Sequence, residues 1–281
     1  MRLRSAVVPR VITAVAALAA VVTLAACGGS APQQAAAPAD PAAPLRVGVS
    51  PTPHGQILRY VAEQLAPARD LKIDVVEFTD YVQPNTALVD GSLDANYFQT
   101  VPYLDEFKST SGADLAWIAP VHLEPLGLYS RTVTDIAALP DGATIGIAND
   151  ATNEARGLRL LAANGLITLE PGSEATATPR DIASNPKNLQ FSELEAAQLP
   201  RSLEDTDASV VNGNYAIDAG LSPAEDALVL EAAENNPNAN GLVTRSELQA
   251  DPRITTLAEL LQSQEVKTYI QQNFAGAVIP V

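Results

Sequence analysis

The fold is decided by the segment Leu45-Arg-Val-Gly-Val-Ser-Pro-Thr-Pro-His-Gly-Gln-Ile-Leu-Arg-Tyr-Val-Ala-Glu-Gln-Leu65. Its first residues form a short apolar run that ends in a proline-rich stretch, which predicts a strand. From Gly55 onward, apolar residues recur at steps of three and four, which predicts a helix with one buried face. The folded part therefore begins with a strand followed at once by a helix.

The same alternation continues to the end of the chain. Further strands are predicted at residues 72–78, 93–98, 115–118, 126–129, 144–148, 189–191, 208–211 and 242–244. Helices are predicted at 84–89, 101–107, 135–139, 154–163, 198–204 and within 257–274. This order predicts an α/β fold made of two units, each with a sheet of mostly parallel strands.

The region before the first strand has the pattern of a bacterial lipoprotein signal. Residues 1–26 contain three arginines and an apolar run, and they end in Leu24-Ala-Ala directly before Cys27. The apolar run is shorter than the roughly 20 residues that a membrane-spanning helix needs. We therefore predict that residues 1–26 are removed and that Cys27 carries the lipid. Residues 27–44, rich in proline and alanine, are predicted to form a disordered tether.

Composition excludes several classes of protein. Cys27 is the single cysteine, so neither a disulfide within the monomer nor a catalytic thiol is expected. Without the three arginines of the signal, the chain has 14 basic and 33 acidic residues and a formal net charge of −19. Such an acidic chain lacks the positive surface that nucleic acid requires, so no nucleic-acid partner is expected.

Candidate ligand-binding residues follow the predicted strands, where binding sites of α/β sheets usually lie. The first unit places aromatic residues there, and the second places amides and an arginine. The candidates are Tyr81, Phe98, Tyr103, Asn149, Asn153, Arg156, Asn212, Asn214 and Asn240. An amphipathic zwitterion with an apolar side chain fits between these two sets.

Two of these residues have a specific chemical use. Arg156 is expected on the first turn of its helix, where free amide groups and the helix dipole favour an anion such as a carboxylate. Asn212 follows a buried strand, and its amide oxygen can accept from an ammonium group. From spacing alone, a solvated helix position for Arg156 and a turn role for Asn212 remain open.

Several segments together resemble the NlpA lipoprotein family, whose best-known members are methionine-binding proteins of ABC importers. The resemblance covers residue 45 to the C-terminus. The segments that carry it are Phe78-Thr-Asp-Tyr-Val-Gln-Pro-Asn-Thr-Ala-Leu88, Leu93-Asp-Ala-Asn-Tyr-Phe-Gln99, Pro102-Tyr-Leu-Asp105, Asn149-Asp-Ala-Thr-Asn153, Asn185-Pro-Lys-Asn188, Glu193-Leu-Glu-Ala-Ala-Gln-Leu-Pro-Arg-Ser-Leu203 and Val211-Asn-Gly-Asn-Tyr-Ala216.

The resemblance implies a two-lobed periplasmic-binding-protein fold with a ligand cleft between the lobes. We expect lobe 1 to comprise residues 45–128 and 241–281, and lobe 2 residues 129–240. It also implies a protein anchored through Cys27 at the extracytoplasmic face of the cell membrane. Its partners would be an ABC permease and the ATPase of that permease, and no cofactor is expected.

The resemblance also assigns roles to residues. The methionine side chain would lie among Tyr81, Phe98 and Tyr103. Its carboxylate would meet Arg156 with Asn153, and its ammonium group Asn212, with Asn240 as a further contact.

Two positions depart from the family pattern. Thr100 stands where the family usually has a histidine, and Tyr97 where it usually has a small residue. Both changes are expected to touch the side-chain pocket. Another small apolar amino acid, or a methionine-containing peptide, therefore remains an alternative ligand.

Other functional classes find little support in the sequence. An enzyme is not expected, because only His54 and His122 are available as imidazole bases and no Gly-x-Ser-x-Gly motif occurs. His54 could act as a base, but a local loop or cap contact is the simpler interpretation. A metal site is not expected, since only Glu124 stands near His122 and no other ligand cluster is apparent. A surface lipoprotein without a transport role is a further alternative.

Overall fold

The structure, a computed structural model, describes residues 43–281. The predicted signal peptide (1–26), Cys27 and all but the last two residues of the predicted tether (27–44) lie outside the described residues. The strands are β1 (Leu45–Val49), β2 (Ile73–Glu77), β3 (Ala95–Thr100), β4 (Leu115–Leu123), β5 (Gly127–Tyr129), β6 (Thr144–Ala148), β7 (Thr168–Leu169), β8 (Ile182–Ser184), β9 (Gln190–Leu194), β10 (Ala208–Val211), β11 (Ala227–Leu230), β12 (Ala239–Arg245) and β13 (Ile279–Pro280).

Helices separate most of these strands, as the sequence predicted. They are α1 (Gln56–Tyr60), α2 (Gln83–Val89), α3 (Val101–Ser111), α4 (Ala151–Ala163), α5 (Leu199–Ser202), α6 (Gly213–Asp218), α7 (Pro223–Asp226), α8 (Pro252–Leu261) and α9 (Gln264–Asn273). Helix α1 continues as a π-helical turn over Val61–Leu65, so the first helix extends to the residue at which it was expected to end. None of the helices described here is long and apolar enough to span a bilayer.

The strands form two large sheets. The first has six strands in the order β13-β4-β12-β3-β1-β2, and the second has five in the order β11-β5-β10-β6-β9. Strands β7 and β8 form a separate two-stranded pair. The chain passes from the first sheet to the second after β4 and returns to the first with β12.

The expectation of mostly parallel sheets was wrong, because both large sheets are mixed. Parallel pairs join β1 to β2 and β3, and β6 to β9 and β10, whereas the other five pairings are antiparallel. The cause lies in the crossings. Strand β12 begins beside the ends of β3 and β4, and β5 begins beside the end of β10. A strand that enters a sheet at the edge where its neighbours end must run opposite to them.

Each large sheet has its own hydrophobic core. Strand β1 and helix α1 contribute Val47 and Ile57 to the first core, which also takes in Leu257 of α8. Strand β6 contributes Ile147 to the second, where it meets Leu158 of α4. All of these side chains are fully buried, and burial of each stabilises the fold by about 1.5–3 kcal/mol. The two cores fix the positions of the sheet edges at which the candidate site lies.

Candidate functional site

One cavity is lined by eight of the nine candidates at the predicted strand ends and by Thr100. Together with the solvent at its opening, it leaves about 370 Å³ free of protein atoms. Asn149 is the candidate that does not line it, and Gln99, Glu124 and Gly213 complete the lining. The candidates that line it are Tyr81, Phe98, Tyr103, Asn153, Arg156, Asn212, Asn214 and Asn240.

The cavity lies where strands of both sheets end. Strand β3 of the first sheet ends at Thr100, and β10 of the second sheet ends at Val211, one residue before Asn212. Strand β6 ends at Ala148, just before α4. Side chains that follow these strands therefore meet at one place.

Aromatic rings form one wall of the cavity. The ring centroids of Tyr81, Phe98 and Tyr103 lie 5.9–6.0 Å from one another, and the Phe98–Tyr103 and Tyr81–Tyr103 pairs meet edge to face. The Tyr103 hydroxyl donates to the backbone oxygen of Tyr81 at 3.0 Å. The wall is apolar over its faces, and its hydroxyl groups are held at its rim.

The two positions that depart from the family pattern have different surroundings. Thr100 lines the cavity, and its hydroxyl accepts from the backbone N–H of Tyr103 at the start of α3. Tyr97 is fully buried in the first core instead, and its hydroxyl donates to His122 Nδ1. The expectation that Tyr97 touches the pocket was wrong, because neighbouring strand residues point to opposite faces of a sheet and Phe98 takes the cavity face.

The start of α4 differs from the expectation for Arg156. The helix begins at Ala151, so Arg156 lies on its second turn and not its first. Asp150 caps the helix, and its carboxylate accepts from the backbone N–H of Asn153 at 2.9 Å. The predicted anion site at the helix amide groups was therefore wrong, since Asp150 already occupies it. Arg156 reaches the cavity by its side chain alone.

A chain of amides leads from Asp150 into the cavity. Asn153 Nδ2 donates to both oxygens of the Asp150 carboxylate, and Asn153 Oδ1 accepts from Asn212 Nδ2 at 2.9 Å. Asn212 is 6% exposed, and its Oδ1 has no hydrogen-bond partner among residues 43–281. A buried acceptor of this kind costs about 1–3 kcal/mol until a donor reaches it. The cavity therefore presents an acceptor that needs a donor.

Arg156 is held by an acidic residue that the sequence analysis missed. Its Nε and Nη2 donate to the Glu231 carboxylate at 2.9 and 2.5 Å, and Nη2 also donates to the backbone oxygen of Glu124 at 3.0 Å. Burial raises the pKa of Glu231, but the hydrogen bonds and charge of Arg156 outweigh it and hold that pKa below its usual value. The guanidinium is buried and fixed in one orientation.

A buried polar cluster lies behind the cavity. His122 Nε2 donates to Glu124 Oε1 at 2.6 Å, and His54 Nε2 lies 3.3 Å from the same oxygen. His54 Nε2 also contacts Asn240 Oδ1 at 3.1 Å. All three ionisable side chains are at most 4% exposed. The isolation of Glu124 was wrong, because His122 and His54 both lie beside it. His54 has a local contact with the backbone of Thr52 and also reaches Asn240, 186 positions away.

Burial sets the protonation of this cluster. It lowers the pKa of His54 to about 4 and that of His122 to about 3, and it raises the pKa of the Glu124 carboxyl. Both imidazoles are therefore neutral near pH 7. Their ligand-type atoms and those of Glu124 lie within 4.8 Å of one another. His122 is hydrogen-bonded to this carboxylate, and His54 is hydrogen-bonded to Asn240.

Two tyrosine hydroxyl groups join the chain segment before α2 to helix α6. The Tyr81 hydroxyl donates to Asn214 Oδ1 at 2.5 Å, and the Tyr215 hydroxyl donates to the backbone oxygen of Thr79 at 3.2 Å. The rings of Tyr81 and Tyr215 lie 4.9 Å apart. Segments before α2 and after β10 are thus joined beside the cavity, which Tyr81 and Asn214 line.

Part of what the sequence analysis missed had a visible signal. His122 and Glu124 are two residues apart around the end of β4, a spacing that places both on one face of an extended chain. Glu231 follows β11, a strand that was not predicted, so its position at a strand end was not recognised.

Comparisons with known proteins agree with this architecture. The family model described as NlpA lipoprotein matches residues 45–281. The methionine-binding lipoprotein MetQ of Bacillus subtilis is 40% identical over 239 residues, which are 84% of this chain and 87% of that protein.

Two solved structures are similarly close. A nutrient binding protein from Burkholderia cenocepacia, bound to methionine, has a TM-score of 0.82 and 40% identity, over 84% of this chain and 99% of its own. An ABC transporter periplasmic substrate-binding protein from Coxiella burnetii has a TM-score of 0.81 and 41% identity, over 84% and 100%. The two-lobed periplasmic-binding-protein fold expected from the sequence is thereby confirmed.

Proposed function

The chain belongs to the NlpA lipoprotein family, and on that basis we propose that it is the lipid-anchored substrate-binding protein of an ABC importer, with methionine as its ligand. The single observation that carries the choice of ligand class is the make-up of the cavity. An aromatic wall stands opposite a guanidinium and an unpartnered amide oxygen. Only a ligand with an apolar part and groups of both charges uses all of these features.

Each part of methionine has a matching set of residues. The thioether side chain packs on Tyr81, Phe98 and Tyr103, where sulfur–aromatic contacts are favourable. The carboxylate binds Arg156, whose position Glu231 fixes. Asn153 acts mainly by orienting Asn212, because its own amide contacts Asp150 and Asn212.

The size of the ligand is compatible with tight binding. Methionine has nine non-hydrogen atoms, and the best small ligands gain about −1.5 kcal/mol for each, a ceiling of about −13 kcal/mol. Binding near that ceiling requires every polar group to be paired. Thr100, with a smaller side chain than the family's histidine, leaves room for other small apolar amino acids or a short methionine-containing peptide.

We assign the protein no chemistry on its ligand. Its mechanism is closure of the lobes, which we place at 45–128 with 241–281 and at 129–240, around the bound amino acid. The closed form would then dock on a membrane permease driven by an ATPase. The lipid on Cys27 would keep the protein at the outer face of the membrane, within reach of that permease.

Isothermal titration calorimetry on the full lipidated chain in detergent tests the proposal. L-Methionine, D-methionine, leucine and alanyl-methionine would be titrated in turn. We expect at least one methionine enantiomer to bind with a Kd at least about 10-fold below that of leucine, as one additional matched contact provides. If neither methionine enantiomer gave binding heat while leucine or the peptide bound, the ligand would not be methionine. Absence of binding to all four would reject the function.

A further inference from the structure

Glu124 is a buried carboxyl group in the cavity lining that has hydrogen bonds and feels the charge of Arg156, but it forms no direct ion pair with a lysine or arginine of residues 43–281. Its two nearest ionisable neighbours are His54 and His122. Arg156 contacts the backbone oxygen of Glu124 and not its carboxylate. Within residues 43–281, no lysine or arginine lies within ion-pair distance of this carboxylate. A buried carboxylate is stable only when a positive charge or several donors compensate it.

The two histidines supply donors but no charge. Burial keeps both imidazoles neutral, and His122 Nε2 donates its N–H to Glu124 Oε1. His54 Nε2 is hydrogen-bonded to Asn240 Oδ1 and lies 3.3 Å from the same Glu124 oxygen. His122 can donate from Nε2 because its Nδ1 accepts from the Tyr97 hydroxyl. The result is a carboxyl group held in a fixed position. Burial raises its pKa, and a positively charged group placed beside it would favour its ionised form.

A second acceptor faces the same cavity. Asn212 Oδ1 is buried and unpartnered, and Asn212 is followed directly by Gly213, whose backbone lies against the Glu124 side chain. A hypothetical Cβ on Gly213 would lie 2.7 Å from Glu124 Cβ. The Glu124 side chain therefore lies against the residue that follows Asn212, and both Glu124 and Asn212 line the cavity. A primary ammonium group carries the positive charge and the multiple donors that this pair accepts.

We propose that Glu124 supplies the negative charge that pairs with the ammonium group of the ligand, so that the cavity selects amino acids with a free, protonated α-amino group. The inference rests on the proposed function and adds to it a specificity-determining residue. His54 and His122 are positioning residues, since they act by holding the Glu124 carboxylate. Arg156 and Glu124 then recognise the opposite charges of one zwitterion.

The test uses two ligands that differ only at this group. One is methionine, and the other is its hydroxy analogue, 2-hydroxy-4-(methylsulfanyl)butanoate, in which a neutral hydroxyl replaces the ammonium group. A hydroxyl still donates to Asn212 Oδ1 but cannot balance Glu124. We expect the wild-type protein to bind methionine about 100-fold more tightly than the hydroxy analogue, in line with the loss of a buried charge pair. Affinities that differ by less than about 3-fold would overturn the proposal.

Glu124→Gln provides the second arm. The ratio of the two affinities should fall below about 10, because methionine loses affinity while the hydroxy analogue does not. An unchanged ratio would also overturn the proposal. Glu231→Gln is the matched control, since Glu231 contacts Arg156 and lies outside the cavity lining. It should weaken both ligands equally and keep the ratio.

The outcomes separate the two proposals. If the wild-type protein binds no methionine, the proposed function fails, whereas binding without a preference for the ammonium group rejects the role of Glu124 alone. Should Glu124→Gln fail to fold, the wild-type ratio decides, because it does not depend on any variant.

Discussion

The Arg156 guanidinium donates from Nε and Nη2 to the Glu231 carboxylate, at N···O distances of 2.9 and 2.5 Å. The two side chains are 6% and 18% exposed, so the pair is largely removed from water. Its fork geometry fixes the plane of the guanidinium as well as its position. The part of Arg156 that lines the cavity is thereby presented in one orientation.

Arg156→Lys should weaken methionine binding by about 10- to 100-fold, because an ammonium group cannot bind Glu231 and a ligand carboxylate in the same planar arrangement. Calorimetry with methionine measures the change. The control is Arg159→Lys on the same helix, whose side chain contacts the backbone oxygen of Glu174 and does not line this cavity. Equal effects of the two substitutions would contradict the assigned role of Arg156.

Phe98→Ala should remove most of the apolar wall and destabilise the protein as well. The side chain is 3% exposed, and truncation of a buried phenylalanine costs about 3–5 kcal/mol. We expect a lower melting temperature together with an affinity for methionine reduced at least about 30-fold, since the thioether loses its contact surface. Val101→Ala, at an exposed position nearby, should change neither quantity appreciably. Unaltered affinity in Phe98→Ala would show that the side chain of the ligand lies elsewhere.

Gly213→Ala should be strongly destabilising. The added Cβ would lie 2.7 Å from Glu124 Cβ, and neither atom is the end of a flexible side chain. Overpacking of this kind costs about 1–3 kcal/mol. Gly157→Ala in α4 is the matched control, because its Cβ would meet Val210 at 3.4 Å, an ordinary contact. Chemical denaturation should show a loss for the first variant and no loss, or a gain from helix propensity, for the second.

The stability of the fold should fall between about pH 4.5 and pH 7 through Glu154. Burial, and then the nearby charges of Glu193 and Asp150, raise the pKa of its carboxyl from 4.5 to about 7. The folded state therefore holds this proton more tightly than the unfolded state does, and the free energy of unfolding decreases as pH rises through that interval. Above pH 7 this contribution is constant.

Glu154→Gln removes that dependence. Thermal melts should show a higher melting temperature than wild type at pH 8 and nearly the same one at pH 4.5. Glu106→Gln, on the exposed side of α3, serves as the control and should show no such difference between the two pH values. A stabilisation by Glu154→Gln that is equally large at pH 4.5 would be inconsistent with the assigned cause.

The local structure could be predicted well where the apolar pattern agreed with the residues that end a strand or helix. Strands β6 and β10 lie at the predicted residues, because a compact apolar run ends in asparagine in both. Helix α4 begins three residues before its predicted start, since the apolar pattern starts later than the cap at Asp150. The antiparallel strands could not be foreseen, because strand direction depends on where the chain crosses between sheets.

The site was predictable to the extent that it depends on strand ends. Eight of the nine candidates at strand ends line one cavity together with Thr100, and their roles in binding remain proposals. Glu231 and the His54–Asn240 contact were missed because each depends on a partner far away in sequence, whereas Glu124 was passed over although its partner His122 lies two residues before it. The His54–Asn240 contact joins residues 186 positions apart, and the Arg156–Glu231 pair joins residues 75 positions apart. Local spacing carries no information on such pairs.

The hydroxyl bridges of Tyr81 and Tyr215 have a kinetic consequence. Both hydrogen bonds join the segment before α2 to helix α6, from Tyr81 to Asn214 and from Tyr215 to the backbone of Thr79. These two segments can separate only when both are broken. The residence time of a bound molecule then depends on these two hydrogen bonds as well as on the contacts of the molecule itself. Different residues can therefore set the affinity for a ligand and the rate of its release.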